Sequence, residues 1–357
     1  MDLLHLGWND FFAQQFEEYA AAGLVPARIA AQHRELYRVY GEQGELVASV
    51  SGSLRSQAAG PQDFPVVGDW VAVRPRPRER GATIHAVLRR RTQFSRKVAG
   101  RVTAAQVAAA NVDTVFLMMG VDGDFNLRRL ERYLVAAFES GAVPVVVLNK
   151  RDLCDAGEMA GKLVAVESVA PGVPVHAVSA ANGDGLDALG PFLALGKTAA
   201  LLGSSGVGKS TLINRLLGRE ALRTAPVRAH DSRGRHTTTH RKLVLLPGGG
   251  MIMDTPGMRE LQFWSAGEGA TTAFADLSEI AAGCRFHNCS HRAEPGCAVL
   301  QAVDQGRLDA GRLESFHKTR AELAALERRQ DALKARAYKR HAGSLERLLR
   351  QRLKEKR

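Results

Sequence analysis

A glycine-rich pattern, Gly-x-x-x-x-Gly-Lys-Ser at residues 203–210, constrains the fold of this chain more than any other stretch. An apolar run from Thr198 to Leu202 precedes it, and the helix-forming sequence Thr211 to Leu217 follows. Between a strand and a helix, glycines let backbone N–H groups point at an anion, and the helix N-terminus adds partial positive charge. The pattern therefore predicts a loop that binds the phosphates of a nucleoside triphosphate, in preference to a chance glycine turn.

Two side chains of this loop have expected roles of their own. Lys209 should reach the β- and γ-phosphates, and the Ser210 hydroxyl should ligate Mg²⁺. The residues expected to contact the nucleotide here are Gly203, Ser204, Ser205, Gly206, Val207, Gly208, Lys209, Ser210 and Thr211.

The charge balance narrows the class of partner. The 357 residues carry a formal net charge of +12, which favours a polyanion over an anionic membrane surface. No apolar run approaches the roughly 18 residues that a membrane-spanning helix needs, and the first residues lack the basic-then-apolar order of a secretory signal. This length predicts two or three domains. We expect a monomeric, cytoplasmic protein that does not bind membranes.

A second motif, Asn149-Lys150-Arg151-Asp152, follows an apolar strand predicted from Val143 to Leu148 and indicates the base. The Asp152 carboxylate can accept the adjacent N1–H and N2–H donors of guanine, whereas adenine would leave it unpaired. Asn149 should bond the other edge of the base or brace the phosphate loop, and the Lys150 stem should lie along the ring. The residues expected around the base are Asn149, Lys150, Arg151, Asp152, Ser179 and Ala180, the last two through backbone N–H groups. A surface turn can carry such a motif by accident, but together with the phosphate loop it predicts GTP and GDP binding.

Residues expected to sense the γ-phosphate follow the phosphate loop. In Asp254-Thr255-Pro256-Gly257, Asp254 should hold Mg²⁺ through water and the Gly257 N–H should contact the γ-phosphate. In the polar segment 231–240, Thr238 is the preferred residue to complete the Mg²⁺ shell, with Thr239 as the alternative.

The water-positioning group is less evident. Many GTPases use a glutamine directly after Asp-x-x-Gly, but this chain has Met258, which cannot orient water by hydrogen bonding. Unassisted hydrolysis should therefore be slow. His236 is the candidate replacement, with His240 a weaker one, and a contact from His236 to nucleic-acid phosphate or a solvent-exposed position in the loop explains the residue nearly as well.

The first hundred residues change pattern once. Trp8, Phe11, Phe12, Phe16 and Tyr19 are spaced as on one amphipathic helix, for which core packing is favoured over base stacking. About five short strands then predict a small barrel of the oligonucleotide-binding (OB) type. The barrel's last strand is expected to run into residues 89–97, whose arginines and lysine around Phe94 suit RNA phosphates and a stacked base, or else form a solvated basic linker.

From about residue 101 the strands alternate with helices, which predicts a mostly parallel sheet covered on both faces. The base-reading motif precedes the phosphate loop, whereas most GTPases have the opposite order. A circularly permuted sheet keeps the same spatial set. A loop reordered by loss of the γ-phosphate would then act directly on the C-terminal domain, which follows it in the chain.

Three of the four cysteines cluster with histidines near residue 290. Cys284, Cys289, His291 and Cys297 supply three thiolates and one imidazole, a complete tetrahedral set for one structural Zn²⁺. His287 is then an unneeded donor, and a disulfide with a free thiol is the weaker interpretation. Cys154 is expected to be a buried small hydrophobe.

The last 40 residues, 318–357, hold 14 Lys or Arg and 5 Asp or Glu, so most of the formal charge lies there. Together with the helical spacing of the preceding leucines, this predicts a basic helix that binds RNA phosphates, or an ordinary solvated helix face.

Taken together, the motif order, the segment Gly234-Arg235-His236-Thr237-Thr238-Thr239 and the cysteine spacing resemble the circularly permuted GTPases. Within them the chain is similar to the bacterial ribosome small-subunit-dependent GTPase A family over about residues 27 to 300. The resemblance implies binding to the 30S subunit and its 16S rRNA late in subunit maturation, with GTP hydrolysis licensing release. It also points to a histidine in the 231–240 loop.

The expected organisation is multidomain. A helical extension (1–26) precedes an OB-fold barrel (27–100), a circularly permuted α/β P-loop GTPase domain (101–268) and a zinc-binding helical domain with a basic tail (269–357). A constitutive zinc-containing nucleic-acid adaptor with a structural nucleotide and an ATP-using P-loop kinase are the competing functions. Turnover stimulated by small subunits and GTP-versus-ATP competition discriminate among the three.

Overall fold

The computed structural model describes residues 1–76, 79–97, 105–220, 242–254, 268–329 and 331–332. Among the helices in these ranges, none combines the length and the apolar content that crossing a bilayer requires.

The N-terminal part of the chain forms a closed five-stranded barrel. Its strands are β1 (Val25–His33), β2 (Leu36–Gly41), β3 (Gly44–Val50), β4 (Trp70–Arg76) and β5 (Gly81–Val87). They pair in the order β1-β2-β3-β5-β4, β1 closes the barrel against β4, and β3 runs parallel to β5. Closure leaves no exposed edge among the five strands. The predicted OB-type barrel is confirmed.

The N-terminal aromatic residues pack on this barrel. Helix α1 (Asp10–Ala21) begins after Asn9, whose side chain accepts a hydrogen bond from Phe11 N. Phe12 and Phe16 are buried, and the ring centroids of Trp8 and barrel residue Trp70 lie 4.7 Å apart. These side chains belong to the core, as the helical spacing predicted. A second short helix, α2 (Gly52–Gln57), lies between β3 and β4.

The basic segment after the barrel differs from its prediction. The barrel ends with β5, and β6 (Gln93–Lys97) pairs instead with β7 (Ala105–Ala110) in a separate two-stranded sheet. Phe94 is 2% exposed, so the prediction that a base stacks on it is wrong. Arg90 forms a bidentate ion pair with the buried Asp69, both contacts being 2.8 Å. The aromatic ring and one of the cations are thus used in packing the domain junction.

The central sheet has six strands. They are β8 (Thr114–Gly120), β9 (Val143–Asn149), β10 (Val175–Ala177), β11 (Thr198–Gly203), β12 (Lys242–Leu245) and β13 (Met251–Asp254). Their order is β10-β9-β8-β11-β13-β12, parallel throughout except for β12, which runs antiparallel to β13 and also pairs with barrel strand β1 at Ala31 and Lys242. The helices of this part are α3 (Leu127–Ser140), α4 (Ala156–Val169) and α5 (Lys209–Leu217). Every residue of β8 and β11 is buried, as expected for a sheet covered on both faces.

The strand order explains the unusual motif order. The chain enters the sheet at β8, proceeds outward through β9 to β10, and then returns to the centre with β11 before filling the other side. The phosphate loop after β11 and the base-reading motif after β9 therefore lie at the same edge, because the carboxyl ends of parallel strands share one edge. The two motifs meet at this edge whichever of the two strands comes first in the chain.

A helical C-terminal unit completes the described chain. It contains α6 (Glu268–Ala273), α7 (Ala275–Ala281), α8 (Ala298–Asp304) and α9 (310–329). Leu313, Leu323 and Leu326 of α9 are buried, as their spacing predicted. The basic tail beyond residue 332 lies outside the described residues.

Candidate functional site

The phosphate loop lies between β11 and α5 at the centre of the sheet. Gly206 and Gly208 have φ angles of +77° and +102°, a left-handed conformation that residues with a Cβ rarely adopt. Lys209, the first residue of α5, donates from Nζ to the Gly203 carbonyl (2.7 Å) and to the Ser204 carbonyl. The ammonium group is thus held over the loop that would receive the phosphates.

Asn149 joins three segments of the site. Its Nδ2 donates to the Val207 carbonyl in the phosphate loop (2.7 Å), and its Oδ1 accepts from Ala180 N (2.9 Å). The side chain is 2% exposed. Of the two roles considered for Asn149, the structure shows the brace: it ties the base-reading motif to the phosphate loop and to the loop after β10.

Asp152 is exposed at the surface. One carboxylate oxygen accepts a hydrogen bond from the Ser179 hydroxyl, and Asn182 N donates in turn to that hydroxyl (3.3 Å). The carboxylate that was expected to face guanine therefore stands beside Ser179. The two backbone N–H groups predicted to contact the base are paired within the protein, Ser179 N with the Asp184 carbonyl (2.8 Å) and Ala180 N with Asn149 Oδ1 (2.9 Å).

Two carboxylates beside the nucleotide motifs were not anticipated from the sequence. They lie in the loop after β8: Asp122 Oδ2 is 2.7 Å from Lys150 Nζ, and Asp124 Oδ1 accepts from the Ser204 hydroxyl at 2.6 Å. Burial raises the pKa of Asp122, but the hydrogen bond and charge of Lys150 outweigh it, so the pKa lies below its usual value. The sequence did contain a signal for these two carboxylates. They directly follow β8, a strand parallel and adjacent to β11, and ligands bind at the carboxyl ends of such strands.

Arg215 of α5 holds the loop after β10 from the other side. Its Nη2 donates to the Ala181 carbonyl, and its Nε lies 3.5 Å from the Ala180 carbonyl. Asn149 thus holds this loop through the Ala180 N–H, and Arg215 holds it through the carbonyls of Ala180 and Ala181. Arg151 ion-pairs with Asp184 near this loop, at 3.4 Å.

Part of the expected Mg²⁺ and γ-phosphate set can be located. Ser210 lies in the first turn of α5, and Asp254 ends β13, which runs parallel to β11. Both residues therefore lie at the sheet edge that carries the phosphate loop. His236, Thr238 and Gly257, together with Thr239, His240 and Met258, lie outside the described residues.

The predicted zinc ligands converge in the C-terminal unit. One donor atom from each of Cys284, Cys289, His291 and Cys297 lies within 4.8 Å of all the others, a cluster that can bind one metal ion. Cys284 Sγ is 3.9 Å from Cys297 Sγ, and His291 Nδ1 is 3.6 and 3.5 Å from these sulfurs. A tetrahedral Zn²⁺ would space sulfurs about 3.8 Å apart and sulfur from nitrogen about 3.6 Å. The donor set therefore fits Zn²⁺, and the exposed His287 is not part of it.

The surroundings of His291 suit a neutral ligand. Burial, with His317 and Arg320 nearby, lowers the pKa of His291 and favours the uncharged imidazole that binds metal.

Cys154 does not behave as predicted: it is half-buried, and its thiol lies 3.3 Å from Glu158 Oε2 and 3.7 Å from Lys162 Nζ. Cys154 precedes α4, whose Glu158 and Lys162 give the thiol polar partners, and its half-buried side chain packs at the margin of the core.

A buried ion network joins the central domain to the C-terminal unit. Arg312 of α9 contacts Glu131 Oε1 of α3 at 3.0 Å and Asp276 of α7 at 2.6 and 2.7 Å. Arg128 also contacts Glu131 Oε1, at 2.8 Å. Helix α3 starts directly after the loop that bears Asp122 and Asp124, so it connects the nucleotide motifs to the unit containing the Cys–His cluster.

Proteins of known family match this chain over most of its length. The family model described as RsgA GTPase matches residues 87–264. A protein of Opitutus terrae named small ribosomal subunit biogenesis GTPase RsgA is 49% identical over 346 residues, which cover 94% of each chain. A protein of the same name from Syntrophotalea carbinolica is 44% identical over 91% of this chain and 90% of its own.

Solved structures share the architecture. YjeQ from Thermotoga maritima is 27% identical and gives a TM-score of 0.65 over 84% of this chain and 99% of its own. YloQ, a circularly permuted GTPase, gives 0.61 over 85% and 96%, and at 22% identity it supports the fold alone. The predicted fold class, an OB-type barrel, a permuted GTPase domain and a C-terminal unit with a metal-binding cluster, is confirmed. The chain belongs to the RsgA GTPase family and is a GTP hydrolase.

Proposed function

We propose that this GTPase acts in the cytoplasm as a monomer that binds the small (30S) ribosomal subunit and assists its late maturation. The subunit stimulates GTP hydrolysis, and hydrolysis is coupled to release. The observation that carries this proposal is the match, over about nine-tenths of both chains, to proteins named small ribosomal subunit biogenesis GTPase. The net charge of +12 and the OB-type barrel support 16S rRNA as the contact surface.

We assign the guanine base to the pocket edge formed by Asp152, Ser179 and Ala180. The Asp152 carboxylate accepts from guanine N1–H and N2–H, and the Ala180 N–H, which donates to Asn149 Oδ1 in the structure, would be shared with guanine O6. Ser179 acts through Asp152, because its hydroxyl donates to that carboxylate. Lys150 lies along the ring while its ammonium stays paired with Asp122.

At the phosphates, the backbone of residues 203–208 and the Lys209 ammonium bind the anion, with Thr211 completing the set. Mg²⁺ would be held by Ser210 and Asp254 together with Thr238, and it would neutralise charge on the β- and γ-phosphates. The Gly257 N–H would contact the γ-phosphate, and His236 would position the attacking water.

The metal cluster is assigned a structural role. Four protein ligands leave no open position for a substrate, so a Zn²⁺ bound by Cys284, Cys289, His291 and Cys297 would hold the C-terminal unit in shape.

The deciding experiment is a GTPase assay with purified 30S subunits, with 50S subunits as the control. We expect turnover to rise with 30S and to stay at the slow basal rate with 50S. Equal turnover under both conditions, with GTP still bound, would support a constitutive adaptor with an occasional hydrolysis event and would contradict the proposal.

The water-positioning role is tested by His236→Ala, with His240→Ala as the matched variant from the same segment. Loss of 30S-stimulated turnover by His236→Ala alone, with nearly unchanged GTP affinity, is the expected result. Unchanged stimulated turnover would remove His236 from the mechanism.

A further inference from the structure

The zinc loop, residues 284–297, presents an aromatic ring to solvent. Phe286 is 41% exposed. Among the large apolar side chains that are exposed in the described part of the chain, it is the single aromatic one. The other aromatic rings close to it in the fold are packed: Phe274 is buried and Phe316 is half-buried against it. An exposed phenylalanine loses the free energy that burial would provide, about 1.5–3 kcal/mol for a full side chain. Single exposed apolar side chains are common on protein surfaces, so the groups around the ring carry the argument for a binding role.

The loop holds the ring outward. Phe286 lies between two of the metal-cluster cysteines, and its carbonyl accepts from Cys289 N at 3.2 Å. Arg285 N donates to the Gly296 carbonyl at 3.1 Å, which fixes the base of the loop. These two hydrogen bonds shape the turn, and the ring of Phe286 lies on its solvent-facing side.

The polar groups around the ring suit a nucleobase. The Arg285 guanidinium carbon lies 5.5 Å from the ring centroid of Phe286, and His287 and Asn288 are exposed next to it. Planar guanidinium and aromatic groups both stack on bases, while imidazole and amide groups hydrogen-bond base edges.

Charge plays a smaller part at this surface than in the basic tail. Glu294, the single carboxylate of the zinc loop, is turned inward and accepts from the backbone N–H groups of Ser290, Arg292 and Ala293. Arg285 and Arg292 are exposed, but a centre of Zn²⁺ with three thiolates carries a net negative charge. The loop is therefore close to neutral, and stacking would provide most of its affinity.

We propose that Phe286 is a base-stacking site through which the zinc loop binds an unpaired base of ribosomal RNA. This inference rests on the proposed function, since the RNA is that of the small subunit. The structure favours RNA over a protein partner because one isolated ring beside guanidinium, imidazole and amide groups offers a face for a base and lacks the apolar patch that a protein contact uses.

The test uses full-length, zinc-loaded protein and 30S subunits. Stacking on an aromatic side chain contributes about 1–3 kcal/mol per base, so Phe286→Ala should weaken 30S binding by about 5- to 150-fold, while Phe286→Trp should stay within about threefold of the unaltered protein. Val164→Ala, at an exposed apolar position on α4, is the matched control and should bind normally. The slope of the logarithm of the 30S association constant against the logarithm of the salt concentration should be unchanged in Phe286→Ala. If Arg292 contacts a phosphate, Arg292→Ala should reduce the magnitude of this slope by about one.

Two measurements keep the result interpretable. The metal content of each variant and its basal GTPase rate report folding, and the fluorescence of Phe286→Trp, corrected for the native tryptophans, reports stacking directly. Quenching by 16S rRNA free of ribosomal proteins supports the proposal. Quenching only by intact subunits would assign the ring to a protein contact and overturn it. Equal 30S binding by Phe286→Ala would also overturn it, whereas failure of the unaltered protein to bind 30S would refute the proposed function instead.

Discussion

Replacement of Arg312 by methionine should loosen the junction between α3 and the C-terminal unit. Arg312 and Glu131 are each about 1% exposed, and their contact is 3.0 Å. Removing one partner of a buried ion pair typically costs 3–5 kcal/mol, because the other charge remains buried. In this variant Glu131 still has Arg128 as an ion-pair partner, and the Asp276 side chain is 28% exposed to solvent. The loss of stability is therefore expected at the lower end of that range, about 3 kcal/mol. Methionine keeps an aliphatic stem of similar length but loses the guanidinium, whose carbon lies 5.0 Å from the Phe274 ring centroid.

Native-state hydrogen exchange measures this cost locally. We expect the protection of α9 amides to fall by about two orders of magnitude in Arg312→Met, with barrel amides unchanged. Lys318→Met removes an exposed ion pair with Glu314 on the same helix and should leave the protection of α9 nearly unchanged, because solvent screens exposed pairs.

A double variant separates the ion pair from general damage. Arg312→Met combined with Glu131→Gln removes both charges, so it should recover at least about 1.5 kcal/mol of the loss expected from summing the single variants. Strictly additive effects, or a loss below about 1 kcal/mol for Arg312→Met, would show that the buried charges do not hold the junction.

Three further perturbations test the site. Gly208→Ala should reduce GDP affinity by at least tenfold in a fluorescent-nucleotide titration, because φ is +102° and the new Cβ would lie 2.2 Å from Asn149 Nδ2; normal affinity would contradict the tight packing of loop and brace. Arg215→Ala should weaken GDP binding about 5- to 30-fold, with partial rescue by Arg215→Lys, because the Ala181 carbonyl loses its donor; equal binding of all three proteins would show that this loop needs no support from α5. Metal removal by a chelator should expose residues 284–297 to proteolysis and leave GDP binding intact; an unchanged cleavage pattern would exclude a structural metal.

Short motifs could be interpreted from the sequence because their chemistry is local. The phosphate loop needs glycine at positive φ and a following helix, and both requirements are visible in eight consecutive residues. The Cys and His ligands span 14 residues, so their spacing alone predicted the cluster that the structure contains. The permuted sheet was also predictable, since parallel strands converge at one edge in any chain order.

Contacts between distant segments were not predictable in this way. The Ala-rich strand Ala105–Ala110 has weak β propensity, and only its pairing with Gln93–Lys97 makes it a strand. The burial of Phe94 follows from that pairing, so the ring that suggested a stacked base is part of the junction, while Arg89 and Arg91 of the same segment stay exposed.

The amino-acid sequence by itself determined the reaction class, and it predicted the ligand types: phosphate from the loop, guanine from Asp152, and a closed metal set from three cysteines and one histidine. The tertiary structure alone showed what positions those groups. Asn149 reaches Val207 across 58 residues, and Arg312 reaches Glu131 across 181. The reason is physical: local chemistry depends on residue type and short spacing, whereas a buried polar group finds its partner only after the backbone has brought the two together.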